Sequence, residues 1–246
     1  MSIANVLIQH TAAVLVTDTN VTIPSVGFVG HAAKVRTFPA RKFAVASRGL
    51  LVAMARFGDA LKASPPPADF AKAGPHLTRL AQAARDATAH HAEAIRDTLP
   101  VPPALADCLD ALQITAVGWS EKRRRPVGFY IVVAGPDYAG ALPLGCHELP
   151  VGRYQSTPGF DGFAEPDWSP NDRGDWEGQF VAIADRQREI AEEMGAPLAV
   201  GGSLVATFIT RQGITQRVIH RYPEATGEGE PGRADSPDAA EALKAA

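Results

Sequence analysis

The 246 residues carry 24 Lys and Arg against 27 Asp and Glu, a formal net charge of −3, and are 46% hydrophobic and 21% charged. This is the make-up of a chain that can bury a large core within one domain. Most of the negative charge sits in Tyr222 to Ala246, so the preceding body is near neutral, which excludes phosphate-backbone binding as its main task and gives the expectation of no nucleic-acid partner. The apolar run APLAVGGSLVATFIT contains a Pro and two Gly and is shorter than the roughly 20 residues of a spanning helix. No basic residue precedes Lys34 to form a signal-peptide n-region, and Cys108 and Cys146 are the only cysteines. The expectation is a cytoplasmic protein with no membrane contact and two reduced thiols.

Short β-rich runs open the chain: Ile3 to Ile8, Ala12 to Val16, a polar DTNVT segment, Lys34 to Phe38 and Lys42 to Ala46. The first two form a hairpin around Gln9, His10 and Thr11. In RGLLVAMARFGDALK, Leu50, Met54, Phe57 and Leu61 recur at helical spacing, and the helix stops at Ser64-Pro65-Pro66-Pro67. An Ala-rich second helix is expected from about Pro75 to Arg96, ended by Pro100.

β character returns in ALQITAVGW and VGFYIVVAG, a strand pair joined by the charged turn SEKRRRP. Val151 to Ser156 reads as a further strand, followed by a Gly-, Pro- and Asp-rich loop through Asp175. A third long helix carries Phe180, Ile183, Ile190 and Met194 on one stripe, and two last strands, LVATFIT and ITQRVIHRY, are joined by Arg211-Gln212-Gly213. No internal repeat is visible.

Strands, two helices, strands, one helix, strands is not the alternation of a parallel βαβ sheet. It suits an α+β fold, a four-layer αββα sandwich of two antiparallel sheets between helix layers. Sheets covered on both faces tolerate strands that are apolar almost throughout, as IVVAG and LVATFI are. The organisation expected is a single domain over residues 2–222 and a disordered acidic tail over 223–246.

Removal of Met1, expected before a small residue, leaves Ser2 with both a hydroxyl and a free amine, a nucleophile and its base on one residue. Ser2, Asp18 and Lys34 are spaced by sixteen and sixteen residues, each beside the start or end of a predicted strand. This constellation, with VTDTNVT and KVRTF around Asp18 and Lys34, resembles the N-terminal nucleophile (Ntn) hydrolases, specifically proteasome β subunits and the bacterial threonine protease that serves an unfoldase ring. VASRGLLVAMARFGDAL then resembles that family's Gly-containing oxyanion turn and first helix. The resemblance covers about Ser2 to Leu61.

What the resemblance implies is an Ntn-hydrolase fold, a homo-oligomer, a peptide or small amide substrate, no cofactor and no metal, and it raises an ATPase or unfoldase as a partner. It assigns Ser2 as nucleophile, Asp18 and Lys34 as its catalytic partners and the Gly49 N–H as oxyanion donor, with Ser156 as a border of the site. The chain departs from the family in using Ser rather than Thr, in placing Arg48 before the glycine, and in lacking a clear counterpart of the late Asp and Ser near Val200-Gly201-Gly202.

The chemistry follows from the groups. An α-amine titrates at roughly 7.7–8.0, so part of it is neutral near pH 7 and can take the hydroxyl proton. A Lys34 ammonium beside it lowers that value and favours the developing alkoxide, while Asp18 holds Lys34 in place. An oxyanion donor such as the Gly49 N–H is worth about 2.7–4 kcal/mol in measured systems. The leading expectation is therefore an N-terminal-serine amidohydrolase, a proteasome-like peptidase. The alternative is a catalytically inactive proteasome-like subunit that serves as an assembly or binding module, and retention of Met1 would decide for it.

Other clusters read more plainly. His90-His91 are neighbours within a helix and do not share a face. Cys146-His147-Glu148 are adjacent in a strand or loop, where side chains diverge, so neither a thiol nucleophile nor a metal set is expected. Arg123, Arg124 and Arg125 read as a solvated hairpin tip rather than a phosphate site.

Overall fold

The computed structural model describes residues 3–23, 27–98, 109–136, 138, 140, 142–152, 154–155, 176–193, 195 and 200–223. Ser2, Cys108, Ser156, the loop through Asp175, Met194 and the acidic tail from Glu224 onward lie outside them.

Twelve strands and four α-helices are found among the described residues, an α+β fold in which every strand pairing is antiparallel. One five-stranded sheet has the order β10-β1-β2-β11-β12, built from Tyr154–Gln155, Ala4–Ile8, Ala12–Thr17, Ser203–Thr210 and Ile214–Arg221. The other has the order β5-β6-β7-β8-β9, from Val35–Phe38, Phe43–Arg48, Ala111–Ser120, Arg125–Ala134 and Gly145–Glu148. A separate hairpin pairs β3 (Asn20–Ile23) with β4 (Gly27–His31).

Three apolar clusters account for the burial. Phe57, Leu61, Leu77 and Ala81, from α1 (Leu51–Ala63) and α2 (Gly74–Asp86), pack with Phe43, Leu112, Ile114, Phe129 and Ile131 of the second sheet. Val6, Ile8 and Leu15 of the first sheet meet Ala44, Ala46, Val117, Trp119, Tyr130 and Val132 of the second. Ile3, Leu7, Val14 and Val16 pack on Phe180, Ile183 and Ala184 of α4 (Trp176–Glu193). Odd and even residues of β1 thus enter different clusters, as period-2 alternation requires. The whole of β7 is buried because both its faces are covered.

The structure departs from the sequence reading in three places. The helix expected from Pro75 to Arg96 is two, α2 and α3 (Ala89–Thr98). Between them the buried Thr88 hydroxyl donates to the Ala84 carbonyl at 2.9 Å while its N–H bonds Arg85 O, local bonding of the kind that competes with a continuous helix. The polar segment after Asp18 enters the β3–β4 hairpin. The strand expected over Val151–Ser156 is a two-residue pairing, Tyr154 and Gln155 against Leu7 and Val6.

On the buried stripe of α4, among apolar neighbours, lies Gln187. Its amide and that of Asn5 are paired reciprocally: Asn5 Nδ2 donates to Gln187 Oε1 at 2.7 Å and Gln187 Nε2 to Asn5 Oδ1 at 3.1 Å. The pair locks β1 to α4. Gln187→Ala leaves the Asn5 amide without this partner and should cost about 1–3 kcal/mol in urea unfolding. The double variant Asn5→Leu/Gln187→Leu, which removes both polar groups, should recover part of that loss.

Candidate active site

The β1–β2 register sets Ala4 opposite Thr17, so the next residue outward on each strand, Ile3 and Asp18, also come together. The Ile3 N–H donates to Asp18 Oδ1 at 3.0 Å. The other carboxylate oxygen, Oδ2, accepts from Lys34 Nζ at 2.7 Å. Asp18 is fully buried and the Lys34 side chain is 10% exposed. Three chain segments, the entry to β1, the exit of β2 and the entry to β5, therefore converge on one carboxylate. Burial pulls the Lys34 pKa down from the ordinary lysine value; Asp18 opposes this, and the nearby Arg48 guanidinium adds to it.

Arg48 ends β6 and Gly49 follows at φ +148°, a conformation that favours glycine. A Cβ at Gly49 would meet Ala111 O at 3.0 Å and Leu112 Cδ1 at 3.2 Å. The chain then enters α1 through Leu50, which has extended φ and ψ and no side-chain cap. Asp18, Lys34 and Gly49 all lie at strand ends, and Asp18 and Lys34 are in direct contact. Ser2, the proposed nucleophile, and Ser156, the proposed border, lie outside the described residues.

Beside Asp18, Thr19 forms a polar shelf. Its hydroxyl accepts the Ser203 N–H at 2.9 Å and stands 3.4 Å from His31 Nδ1. Gly202, at φ +72°, lets this happen: a Cβ there would sit 2.4 Å from Thr19 Oγ1 and 2.6 Å from His31 Nδ1. The Tyr222 N–H bonds Gly202 O at 2.8 Å, and its hydroxyl donates to Asp185 Oδ1 at 2.9 Å. Burial, then the Asp185 carboxylate, push the Tyr222 pKa up. Sequence reasoning passed over this shelf. The signal available was the Gly201-Gly202 pair, which marks a close backbone approach.

A second polar group was also missed. Arg48 is buried, and its Nη1 donates to Gln113 Oε1 at 3.3 Å, an oxygen that also accepts from the Tyr130 hydroxyl at 3.1 Å. Arg48 and Gln113 are directly paired across β6 and β7.

The remaining candidates stay apart from this site. The His90 and His91 rings, both exposed, lie tilted to each other with centroids 4.0 Å apart. Partial burial and the charge of Glu148 push the Cys146 thiol pKa up, the opposite of an activated nucleophile. Arg123 and Arg125 of the basic turn are ion-paired with Glu148. No described helix is long and apolar enough to cross a membrane.

No protein-family model matches the chain, and no curated protein does. Among solved structures the chain is similar to the Anbu (Gly-1) mutant from Hyphomicrobium sp. strain MC1, at 14% identity and a TM-score of 0.50, over 100% of this chain and 96% of that one. It also matches Anbu (ancestral beta-subunit) from Yersinia bercovieri, at 11% identity and a TM-score of 0.48, over 88% and 87% of the two chains. What is shared with the first is the fold alone.

This corrects the family drawn from the sequence. The solved structure that shares the fold at a TM-score of 0.50 is an Anbu mutant, and neither a family model nor a curated relative places the chain among proteasome β subunits or the unfoldase-serving protease. The reason is physical as well as statistical. VTDTNVT, KVRTF and the interval between Asp18 and Lys34 correspond to a local contact between strand ends, and such a contact does not by itself specify the family that carries it.

Because the Lys34 pKa is lowered on folding, the unfolded chain holds the extra proton at pH values between the folded-state pKa and about 10.4. Stability should therefore rise as the pH is raised across that window. In Lys34→Arg, where the side chain stays protonated throughout, this part of the slope should vanish. Urea unfolding of both proteins between pH 7 and 10 measures it, and equal slopes would refute the lowered value.

Proposed function

We propose that the protein is an N-terminal-serine amidohydrolase that cleaves peptide or small amide bonds, with Ser2 as nucleophile once Met1 is removed. The observation that carries this reading is the pair of bonds on Asp18. One oxygen takes the backbone N–H of Ile3, the residue after Ser2, and the other takes Lys34 Nζ. An ammonium is thereby held beside the start of the chain, fixed by a buried counter-ion.

In the proposed mechanism the terminal amine takes the Ser2 hydroxyl proton as the oxygen attacks the amide carbon. The carbonyl oxygen becomes anionic and is met by the Gly49 N–H. The amine then gives its proton to the leaving nitrogen, and water releases the acyl group by the same steps in reverse. Lys34, with a pKa already lowered by burial, keeps positive charge near the amine and the alkoxide without leaving Asp18.

The three apolar clusters support reading the fold as a four-layer αββα stack in a single domain over residues 2–222. The protein is proposed to act as a homo-oligomer in the cytoplasm, an assembly for which the acidic tail is dispensable. Light scattering of the full chain at micromolar concentration should give a mass several times that of the monomer.

The test combines mass and kinetics. Intact mass of the purified protein should show Met1 removed, and a hydroxyl-directed acylating electrophile should label Ser2 in the wild type but not in Ser2→Ala. Against a panel of peptide amides, Ser2→Ala should lose all turnover. Lys34→Ala, which removes the positive charge beside the amine, should lower kcat by about a hundredfold, the scale of a lost electrostatic stabiliser of the transition state, with KM little changed. Full retention of Met1 would overturn the proposal.

A further inference from the structure

The basic turn between β7 and β8 reads from the sequence as a solvated tip, and two of its consecutive arginines, Arg123 and Arg125, are ion-paired with Glu148. Arg124 is not. Its φ of +52° lies in the left-handed region, where a side chain is uncommon and glycine is the cheaper residue. A cation thus stands at a position that local geometry would give to glycine.

Arg124 lines a cleft of about 250 Å³ together with Trp119, Glu121 and Arg211. Arg211 comes from the other sheet, on a turn closed by the Thr210 N–H to Gly213 O at 2.9 Å and the Gly213 N–H to Thr210 O at 3.3 Å. The cleft lies between two hairpin tips, one from each sheet. Trp119 is its buried member, 6% exposed, and the indole Nε1 has no acceptor in hydrogen-bond geometry. Glu121 is the acid of the cleft and is held by Lys42 Nζ at 2.8 Å. That ammonium, against a smaller effect of desolvation and followed by the Trp119 indole and the Arg211 charge, keeps the Glu121 carboxyl below the usual range. Among the described residues neither Arg124 nor Arg211 is in ion-pair contact with a carboxylate. With Glu121 balanced by Lys42, both of their charges remain over. The site is remote from Asp18 and Gly49, since Trp119 and Gln113 mark opposite ends of β7, roughly 20 Å apart at the rise of a strand.

We propose that this cleft binds a compact dianionic oxyanion, a phosphate group, clasped by the Arg124 and Arg211 guanidiniums over the Trp119 indole. Two forked cations match the oxygens of a tetrahedral dianion, and the indole offers a donor without an acceptor that would repel it. The cleft is smaller than the roughly 300–1,000 Å³ of a pocket for a drug-sized ligand, so the group is free phosphate or the phosphate of a small molecule. Neither Ser2 nor Lys34 enters the assignment, which stands or falls apart from the hydrolase reading.

The full chain, labelled with 15N-indole tryptophan, is titrated by NMR with inorganic phosphate at an ionic strength held constant with sodium chloride. The Trp119 indole signal, assigned by its loss in Trp119→Phe, should shift and saturate. Arg211→Gln and Arg124→Gly should each weaken binding by about tenfold or more, the scale of one charge-assisted hydrogen bond. Because glycine suits the left-handed φ at 124, the loss in Arg124→Gly cannot be put down to a disturbed turn. Glu121→Gln, which removes the competing acid, should strengthen binding. Glycerol phosphate, titrated in parallel, separates the two sources: affinity about tenfold above that of phosphate assigns the group to a larger ligand, and equal or weaker affinity assigns it to the free ion. The absence of a saturable shift with both probes overturns the proposal. So does a response that chloride alone reproduces, or wild-type affinity in both arginine variants.

Discussion

A carboxylate with no exposed surface holds the candidate site together. Asp18 sits where ionised oxygen would be costly unless its lone pairs were met, and two donors meet them, a backbone N–H from the start of β1 and an ammonium from the start of β5. Neither donor belongs to the strand that carries the acid. The requirement to satisfy one buried group therefore fixes the relative positions of the two sheets at this end, because β1 and β2 belong to one and β5 to the other. Breaking such a pair from one side typically costs about 3–5 kcal/mol, more than most single apolar contacts in the core.

Between the sheets the character of the layer changes along its length. Where Val6, Ile8 and Leu15 face Val117, Tyr130 and Val132 the packing is apolar. Toward the Gly49 turn the second sheet presents Arg48 and Gln113, whose Oε1 accepts from both the Arg48 guanidinium and the Tyr130 hydroxyl. This gradient places charge at the end where strands exit and chain segments meet, and leaves the opposite stretch to supply the hydrophobic stabilisation. The Asn5–Gln187 amide pair is the exception on the outer face of β1, and it works in the same direction, since two reciprocal bonds fix a strand whose first residues approach Asp18.

The parts legible in the sequence are those encoded within one segment. Period-2 and period-3.6 patterns placed β1, β2, α1, β7, β8 and the last strand pair, and in the structure Asp18 and Lys34, sixteen residues apart, are in contact. The parts that were not legible depend on partners distant in the chain. Arg48 read as a departure at a turn, because its relation to Gln113 exists only once β6 and β7 are in register. The helix break at Thr88 turns on a hydroxyl choosing a carbonyl one turn back over solvent, a choice that an Ala-rich stretch conceals. The family assignment failed for a different reason: a few residues at strand ends describe a contact, and the fold comparison, at 14% identity, supports the architecture around that contact and nothing finer.

Two glycines show why the candidate chemistry gathers at strand ends rather than in the sheet interior. Gly49 packs a tight turn against Ala111 and Leu112, and Gly202 lets the backbone before β11 close onto Thr19 and His31. A side chain at either would run into these neighbours, and both have positive φ, so even alanine would be strained. At the ends of strands the ladder no longer consumes every N–H and C=O, and those freed groups can bond a carboxylate, a hydroxyl or a reacting oxygen. The site thus draws on what the sheets leave unpaired, while the continuous apolar strands behind it keep those unpaired groups from moving.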